Sequence, residues 1–113
     1  MQERRATDTL WLQLRGALLA EARERNLGLQ RIDIDEARSW GLRLQTAERC
    51  LDLQAAREVV TCTISAGPDP DSRKEVPIGL HPGSVPSFRL DGRPQLAESV
   101  AAKLLAALLD RES

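Results

Sequence analysis

Apolar residues recur every three or four positions near the N-terminus of the chain, which is typical of one face of an α-helix. The residues with this spacing are Trp11, Leu14, Leu18 and Ala22. Thr7 or Asp8 can cap the start of this helix. Gly28 can end it, because glycine tolerates the left-handed backbone that follows many helices. The pattern predicts a helix over about residues 7–26.

A second helical repeat lies at the other end of the chain. Its apolar stripe consists of Leu96, Val100, Leu104 and Leu108. Pro94 suits the first position of a helix, so the predicted helix spans about residues 94–111. Apolar residues surround most of its circumference, which is more than a helix packed on one face of a small sheet requires.

This surplus apolar surface must be covered either by the N-terminal helix or by another chain. We favour a second copy, so the sequence predicts a homodimer. The predicted interface consists of Leu104, Leu105, Leu108 and Leu109.

Between the two helices, apolar and polar residues alternate, which is typical of antiparallel strands with one buried and one solvated face. The alternating apolar positions include Leu42, Leu44, Leu51, Leu53, Val60, Cys62, Ile64, Val76, Ile78, Leu80, Phe88 and Leu90. Ile32 and Ile34 form a shorter piece that is either a further strand or the approach to a helical turn at residues 35–38. The alternation predicts an antiparallel meander of four to six strands over about residues 29–91.

The order of apolar residues also predicts how the strands pair. A turn at Ala47–Glu48 places Leu44 opposite Leu51. A second turn at Ala55–Ala56 would place Leu51 opposite Val60. Both pairings keep the apolar side chains on one face, as a half-buried sheet requires.

These elements predict one α+β domain over residues 1–113, with an N-terminal helix, an antiparallel meander and a C-terminal helix. Both helices are expected on the apolar face of the sheet. A chain of 113 residues can bury one hydrophobic core and is too short for two independent domains.

Composition narrows the function classes. Hydrophobic residues make up 42% and charged residues 29% of the chain, and 16 basic against 17 acidic side chains give a net charge of -1. No segment carries the basic stripe of a nucleic-acid-binding module. The rings of Trp11, Trp40 and Phe88 are too few for a base-stacking platform. These features argue against a nucleic-acid partner.

The apolar stretch near the N-terminus is interrupted by Asp8, Gln13 and Arg15, so it does not have the pattern of a signal peptide. No apolar run approaches the ~18 residues of a membrane span. We therefore expect a cytoplasmic protein without a membrane partner.

Candidate catalytic and metal sites are weak. The alternation places Cys62 in the core and Cys50 on the opposite face, which excludes a disulfide between them and supplies no metal-ligand spacing. His81 lies near Ser84, Ser87 and Asp91, but without a nucleophile motif. Asp69 and Asp71 lack the other ligands of a calcium loop. We expect no cofactor, no metal and no catalytic residues.

The solvated face of the sheet is the candidate binding surface. Its predicted residues are Arg43, Asp52, Thr61, Thr63 and Arg89, joined by Cys50 and Val59. Such a face is either ordinary solvated surface or a site for a peptide or an acidic partner.

The sequence favours a non-catalytic protein-interaction module, such as a small adaptor, chaperone or immunity-type protein, whose partner is another protein or a second copy. One alternative is a nucleic-acid-associated protein in which the fold gathers arginines into a patch. The other is a small enzyme or ligand carrier with a pocket between the helices and the sheet, lined by Trp11, Trp40 or Phe88.

Overall fold

The described residues form two helices and seven strands, with one helix before the first strand and the other after the last. The structure is a computed structural model that describes residues 2–28, 31–66, 73–82 and 86–109, with side chains from Thr7 onward. The elements are α1 (Gln2–Leu27), β1 (Asp33–Asp35), β2 (Gly41–Gln45), β3 (Arg49–Ala56), β4 (Val59–Ala66), β5 (Lys74–His81), β6 (Ser87–Leu90), β7 (Arg93–Gln95) and α2 (Ala97–Leu109).

The strands form a single sheet in which each strand pairs antiparallel with the next. The sheet has seven strands, against the four to six predicted, and the α+β architecture is confirmed. Because each strand pairs with the next one in the chain, the alternating pattern continues from strand to strand in sequence order.

The hairpin between β2 and β3 has the predicted register. Leu42 lies opposite Leu53 and Leu44 opposite Leu51. The turn is closed by the Thr46 N–H, which donates to the Arg49 carbonyl over 2.8 Å. The Thr46 hydroxyl accepts the Arg49 N–H over 3.0 Å, so this side chain supplies the turn chemistry that an Asn-Gly pair would otherwise provide.

The hairpin between β3 and β4 differs from the prediction. Its turn lies at residues 57–58, and Leu51 pairs with Ile64, not with Val60. Both alanines of the predicted turn continue β3, where Ala55 lies opposite Val60. The longer strands gain backbone pairs, and because the shift is even, every apolar side chain stays on the same face.

The start of the C-terminal helix also differs. Pro94 lies in β7, which pairs with β6, and α2 begins at Ala97. Asp91 and Gly92 both have positive φ, 55° and 78°, as the two central residues of a type I′ hairpin turn do. Pro94 is tolerated there because β7 is an edge strand, where a missing N–H breaks no interior ladder.

The N-terminal side contains two smaller differences. Helix α1 begins at Gln2, earlier than the predicted Thr7, and ends as predicted before Gly28. Ile34 belongs to β1, which settles the choice between a strand and a helical turn in favour of the strand. Asp69, Asp71 and Ser84, considered above as candidate site residues, and the predicted helix end beyond residue 109 lie outside the described residues.

Both helices pack on one face of the sheet, here called the inner face. The core contains Trp11, Leu14 and Leu18 of α1, together with the inward residues of β2 to β6. Helix α2 contributes Val100, Ala101, Leu104, Leu105 and Leu108. The opposite side of the sheet, here called the outer face, carries no helix among the described residues, so it is the part of the sheet available to a ligand.

Candidate functional site

The outer face arranges its side chains in rows across the strands. One row runs from Asp35 through Arg43, Asp52 and Thr63 to Glu75. The neighbouring row contains Gly41, Gln54, Thr61 and Pro77. A third row contains Ala56, Val59, Gly79, Arg89 and Pro94. The five residues predicted for this surface therefore share one face and lie in three different rows.

Arg43 and Asp52 are the closest pair among them. They are cross-strand neighbours, and the Arg43 guanidinium lies 3.5 Å from the Asp52 carboxylate. Thr63 follows Asp52 on the next strand. Because Asp52 neutralises Arg43 and the row also holds Asp35 and Glu75, this part of the face offers no free positive charge to an acidic partner.

Arg89 lies apart from this pair, opposite Gly79 on β5. The His81 ring also lies over Gly79, where an added Cβ would be 3.4 Å from its Nε2 atom. His81 is the cross-strand partner of Ser87, but no hydrogen bond joins their side chains among the described residues. The structure thus brings two members of the considered Ser–His–Asp set near each other without the bond that would activate a nucleophile.

The predicted dimer interface lies mostly inside the subunit. Leu104, Leu105 and Leu108 are buried, and Leu109 is half-buried. Helix α1 supplies the cover, since the two helices contact each other along the inner face. The homodimer predicted through α2 is not supported, because these leucines offer little apolar surface to a second copy.

Trp40, which the sequence analysis considered as a pocket-lining residue, is an exposed tryptophan. Trp40 stands just before β2 and has 55% of its surface exposed. The other tryptophan, Trp11, is buried in the core. An exposed Trp differs from scattered exposed leucines because its large rigid ring is enriched at the energetic centres of protein interfaces.

The backbone around Trp40 is held from both sides. The Trp11 indole N–H donates to the Ser39 carbonyl over 2.9 Å. The Ala55 N–H donates to the Trp40 carbonyl over 2.8 Å. Helix α1 and strand β3 therefore fix the position from which the Trp40 ring projects, which reduces the conformational entropy lost when a partner binds.

Two hollows flank the Trp40 ring. One, of about 240 Å³, lies towards α1 and is lined by Thr7, Trp11, Ala56, Arg57 and Leu80 among others. The other, of about 500 Å³, is open and is lined by Ala37, Arg38, Gly41, Gln54 and Ala55 among others. We call the surface formed by Trp40, Arg38, Ala55, Ala56 and Arg57 the Trp40 corner.

The Trp40 corner continues into the outer face through Gly41. A Cβ on Gly41 would lie 3.7 Å from side-chain carbons of Arg38 and 3.1 Å from the Leu53 carbonyl oxygen. The Arg38 side chain thus lies over Gly41. Neither Arg38 nor Arg57 forms an ion pair within the described part of the chain, so both guanidinium groups are available to a carboxylate.

Several other arginines are already engaged. Ion pairs join Arg23 to Glu36, Arg25 to Glu21 and Arg43 to Asp52. Arg15 donates to the Glu36 carbonyl and Arg49 to the Ala107 carbonyl. The three ion pairs weaken the case for a nucleic-acid site, since an adjacent carboxylate offsets the positive field of its arginine.

The two cysteines lie on opposite faces of the sheet, as predicted, and both are free. Burial raises the pKa of the Cys62 thiol to about 12. Cys50 is half-buried, and burial raises its pKa as well, with the Arg43 charge acting in the opposite direction. Neither is an activated nucleophile, because reactive cysteines have a lowered pKa.

The described residues contain no group of three or more His, Cys, Asp or Glu side chains that could hold a metal ion. Neither of the described helices combines the length and the apolar composition that crossing a bilayer requires.

Comparisons with known proteins give no family for this chain: no protein family, no curated protein and no solved structure matches it. Its function is therefore argued from its own surfaces.

Proposed function

We propose that this protein is a non-catalytic protein-interaction module that binds another protein through the Trp40 corner and the adjoining outer face. The observation that carries the proposal is the exposed Trp40 ring on a backbone fixed by hydrogen bonds from Trp11 and Ala55. Trp and Arg are among the side chains most enriched at interface hot spots, and this corner combines Trp40 with Arg38 and Arg57.

The charges at this surface indicate the chemistry of the partner. Arg38 lines the hollow on one side of Trp40, and Arg57 lines the other together with Asp8. A partner surface that presents an apolar group bordered by carboxylates would cover the ring and pair both guanidinium groups.

Sheet-edge pairing is a less suitable binding mode. The edge strands β1 and β7 have three residues each. β1 carries Asp33 and Asp35, and β7 carries Arg93 and Pro94. Short edges with charges or proline resist the addition of another strand. We therefore place the partner on the Trp40 corner and the outer face.

We also propose that the module acts in the cytoplasm. Cys50 and Cys62 lie on opposite faces of the sheet and are free. Unpaired thiols are common in reducing compartments, whereas small secreted domains usually join their cysteines in disulfides.

The test is capture of proteins from an extract of the source organism by the immobilised chain. Trp40→Ala should lower retention of the specific partner by about 30-fold, the loss expected when a hot-spot side chain is truncated. Leu27→Ala is the matched control, because Leu27 is 88% exposed at the end of α1 and lies away from the Trp40 corner.

The proposal is contradicted if both variants retain the same proteins as the unmodified chain. Treating the extract with nuclease tests the alternative of a nucleic-acid-associated protein, because proteins retained through RNA or DNA would then be lost. Circular dichroism of each variant shows whether its fold is preserved.

A further inference from the structure

A second surface depression lies at the opposite end of α1 from the Trp40 corner. It is an open groove of about 600 Å³ between the C-terminal half of α1, strand β6 and the start of α2. Its floor contains Phe88, and Ala17 and Ala97 form part of its walls. This groove, here called the acidic groove, shares no lining residue with the hollows beside Trp40.

The walls of the acidic groove are fixed by regular structure. Phe88 is buried and pairs with Leu80 and Gln95 in the sheet. The Leu96 carbonyl accepts the Val100 N–H over 3.1 Å, which fixes the backbone at the start of α2. Leu96 itself is 63% exposed and lines the groove. The groove therefore presents a solvent-facing apolar side chain on a fixed backbone.

The titratable side chains that line the groove are all acidic. They are Glu21, Glu24 and Glu98. The Glu21 carboxylate forms an ion pair with the Arg25 guanidinium, which is 3.8 Å away. Glu24 and Glu98 are exposed and form no ion pair among the described residues. Two available carboxylates thus border an apolar floor.

We infer that the acidic groove binds a basic amphipathic segment of a partner protein. An apolar side chain of that segment would lie against Leu96, and flanking Lys or Arg side chains would pair with Glu24 and Glu98. Charge complementarity selects this occupant, because an acidic or uncharged segment would leave both carboxylates unpaired. The open shape suits an extended peptide, since small-molecule sites usually enclose most of their ligand.

The inference is independent of the Trp40 corner, whose free charges have the opposite sign. A chain with an arginine-bordered surface at one end of α1 and a glutamate-bordered groove at the other can bind two different segments.

The experiment uses two labelled peptides of equal length, one with alternating lysine and leucine and one with alternating glutamate and leucine. Binding is followed by fluorescence anisotropy at low salt with the full chain. The lysine peptide should bind and the glutamate peptide should not. The double variant Glu24→Gln/Glu98→Gln should weaken binding of the lysine peptide by about tenfold, since each exposed ion pair contributes about a factor of three.

Glu48→Gln/Glu58→Gln is the matched control, because it removes the same charge at exposed positions outside the groove and outside the rows of the outer face. It should leave binding unchanged. Leu96→Ala should also weaken binding, which separates an apolar anchor from charge attraction alone.

Four results would overturn the inference. Equal binding of the two peptides, or equal weakening by the groove and control variants, would mean that the groove does not select the ligand. Self-association that disappears with Trp40→Ala would identify the occupant as a second copy presenting its Trp40 corner. If the unmodified chain does not bind the lysine peptide while its Trp40-dependent capture is intact, this inference is wrong and the proposed function still stands.

Discussion

At the scale of single residues, two glycines differ in the space that a Cβ atom would find around them. Gly16 is exposed in the middle of α1, and a Cβ there would meet no atom within 4 Å. Gly41 is buried, and a Cβ there would lie 3.1 Å from the Leu53 carbonyl oxygen. The first glycine therefore has no packing role, whereas the second allows β2 to pass close to β3 beneath the Arg38 side chain.

We expect Gly16→Ala to raise the free energy of unfolding by about 0.5–1 kcal/mol, because alanine has the higher helix propensity and loses less backbone entropy on folding. Gly41→Ala should lower it by about 1–3 kcal/mol, as overpacking in a tight site does. Urea denaturation of both variants checks the pair. A loss of stability in Gly16→Ala would show that α1 makes a contact at this position that the structure does not contain.

The thiols give a prediction for alkaline pH. In the folded chain burial raises the pKa of Cys62 from 9.0 to about 12, so its thiol stays protonated while that of the unfolded chain ionises. The unfolded state then binds fewer protons, and stability falls with rising pH. The loss begins near pH 9 and reaches at most about 1.4 kcal/mol per pH unit from this group.

Cys62→Ala should remove this contribution to the fall of the unfolding free energy with pH, when the free energy is measured between pH 8 and about 11. Cys50→Ala is the control, since its thiol is only half-buried. Identical slopes in the unmodified chain and Cys62→Ala would contradict the assigned burial of Cys62. A thiol reagent at pH 8 should also modify Cys50 before Cys62.

At the scale of elements, one side chain joins the end of α1 to the start of the sheet. The Asn26 amide donates from Nδ2 to the Ile32 carbonyl over 3.0 Å, and its Oδ1 accepts the Ile32 N–H over 2.7 Å. Ile32 is buried in the core. These two hydrogen bonds therefore fix the position of the backbone just before β1.

Asn26→Ala should lower the free energy of unfolding by about 1–3 kcal/mol, because it leaves a part-buried N–H and carbonyl without partners. Gln45→Ala, at an exposed position of β2, should change stability by no more than about 0.5 kcal/mol. Chemical denaturation distinguishes the two. Equal effects would mean that solvent replaces both hydrogen bonds of Asn26.

The elements also show what the sequence could and could not predict. Alternation predicted the meander and the register of β2 with β3, because burial of one face depends on a local pattern. β7 was missed although Asp91-Gly92 is a strong hairpin signal, because Pro94 and the apolar run after it favoured an earlier helix start. The turn at residues 57–58 carries no such signal, and the length of β3 depends on its pairing with β4.

The position of the candidate site depends on tertiary packing, which a local sequence pattern does not specify. The outer face was predicted from alternation, and its five residues do share that face. The exposure of Trp40 follows from where α1 and β3 lie around it, which alternation does not specify. The leucines of α2 are buried for the same reason, since the cover comes from α1.

At the scale of the whole molecule, the described surface gives little support to a stable dimer. Leu104, Leu105 and Leu108 are inside, and both edge strands are short. We expect multi-angle light scattering to give the mass of one chain, 12.5 kDa, at micromolar concentrations. A mass of two chains that does not change on dilution would show that another surface joins two copies.

The central claim is that Trp40 contacts another protein, and photo-crosslinking in cells of the source organism tests it most directly. The residue p-benzoylphenylalanine is placed at position 56, exposed in the Trp40 corner beside the unmodified Trp40, in one chain and at position 27, exposed outside the corner, in a second. Our account predicts a discrete cross-linked protein from position 56 that is absent from position 27 and is lost when Trp40→Ala is added. No product from position 56, or the same products from both positions, would contradict it.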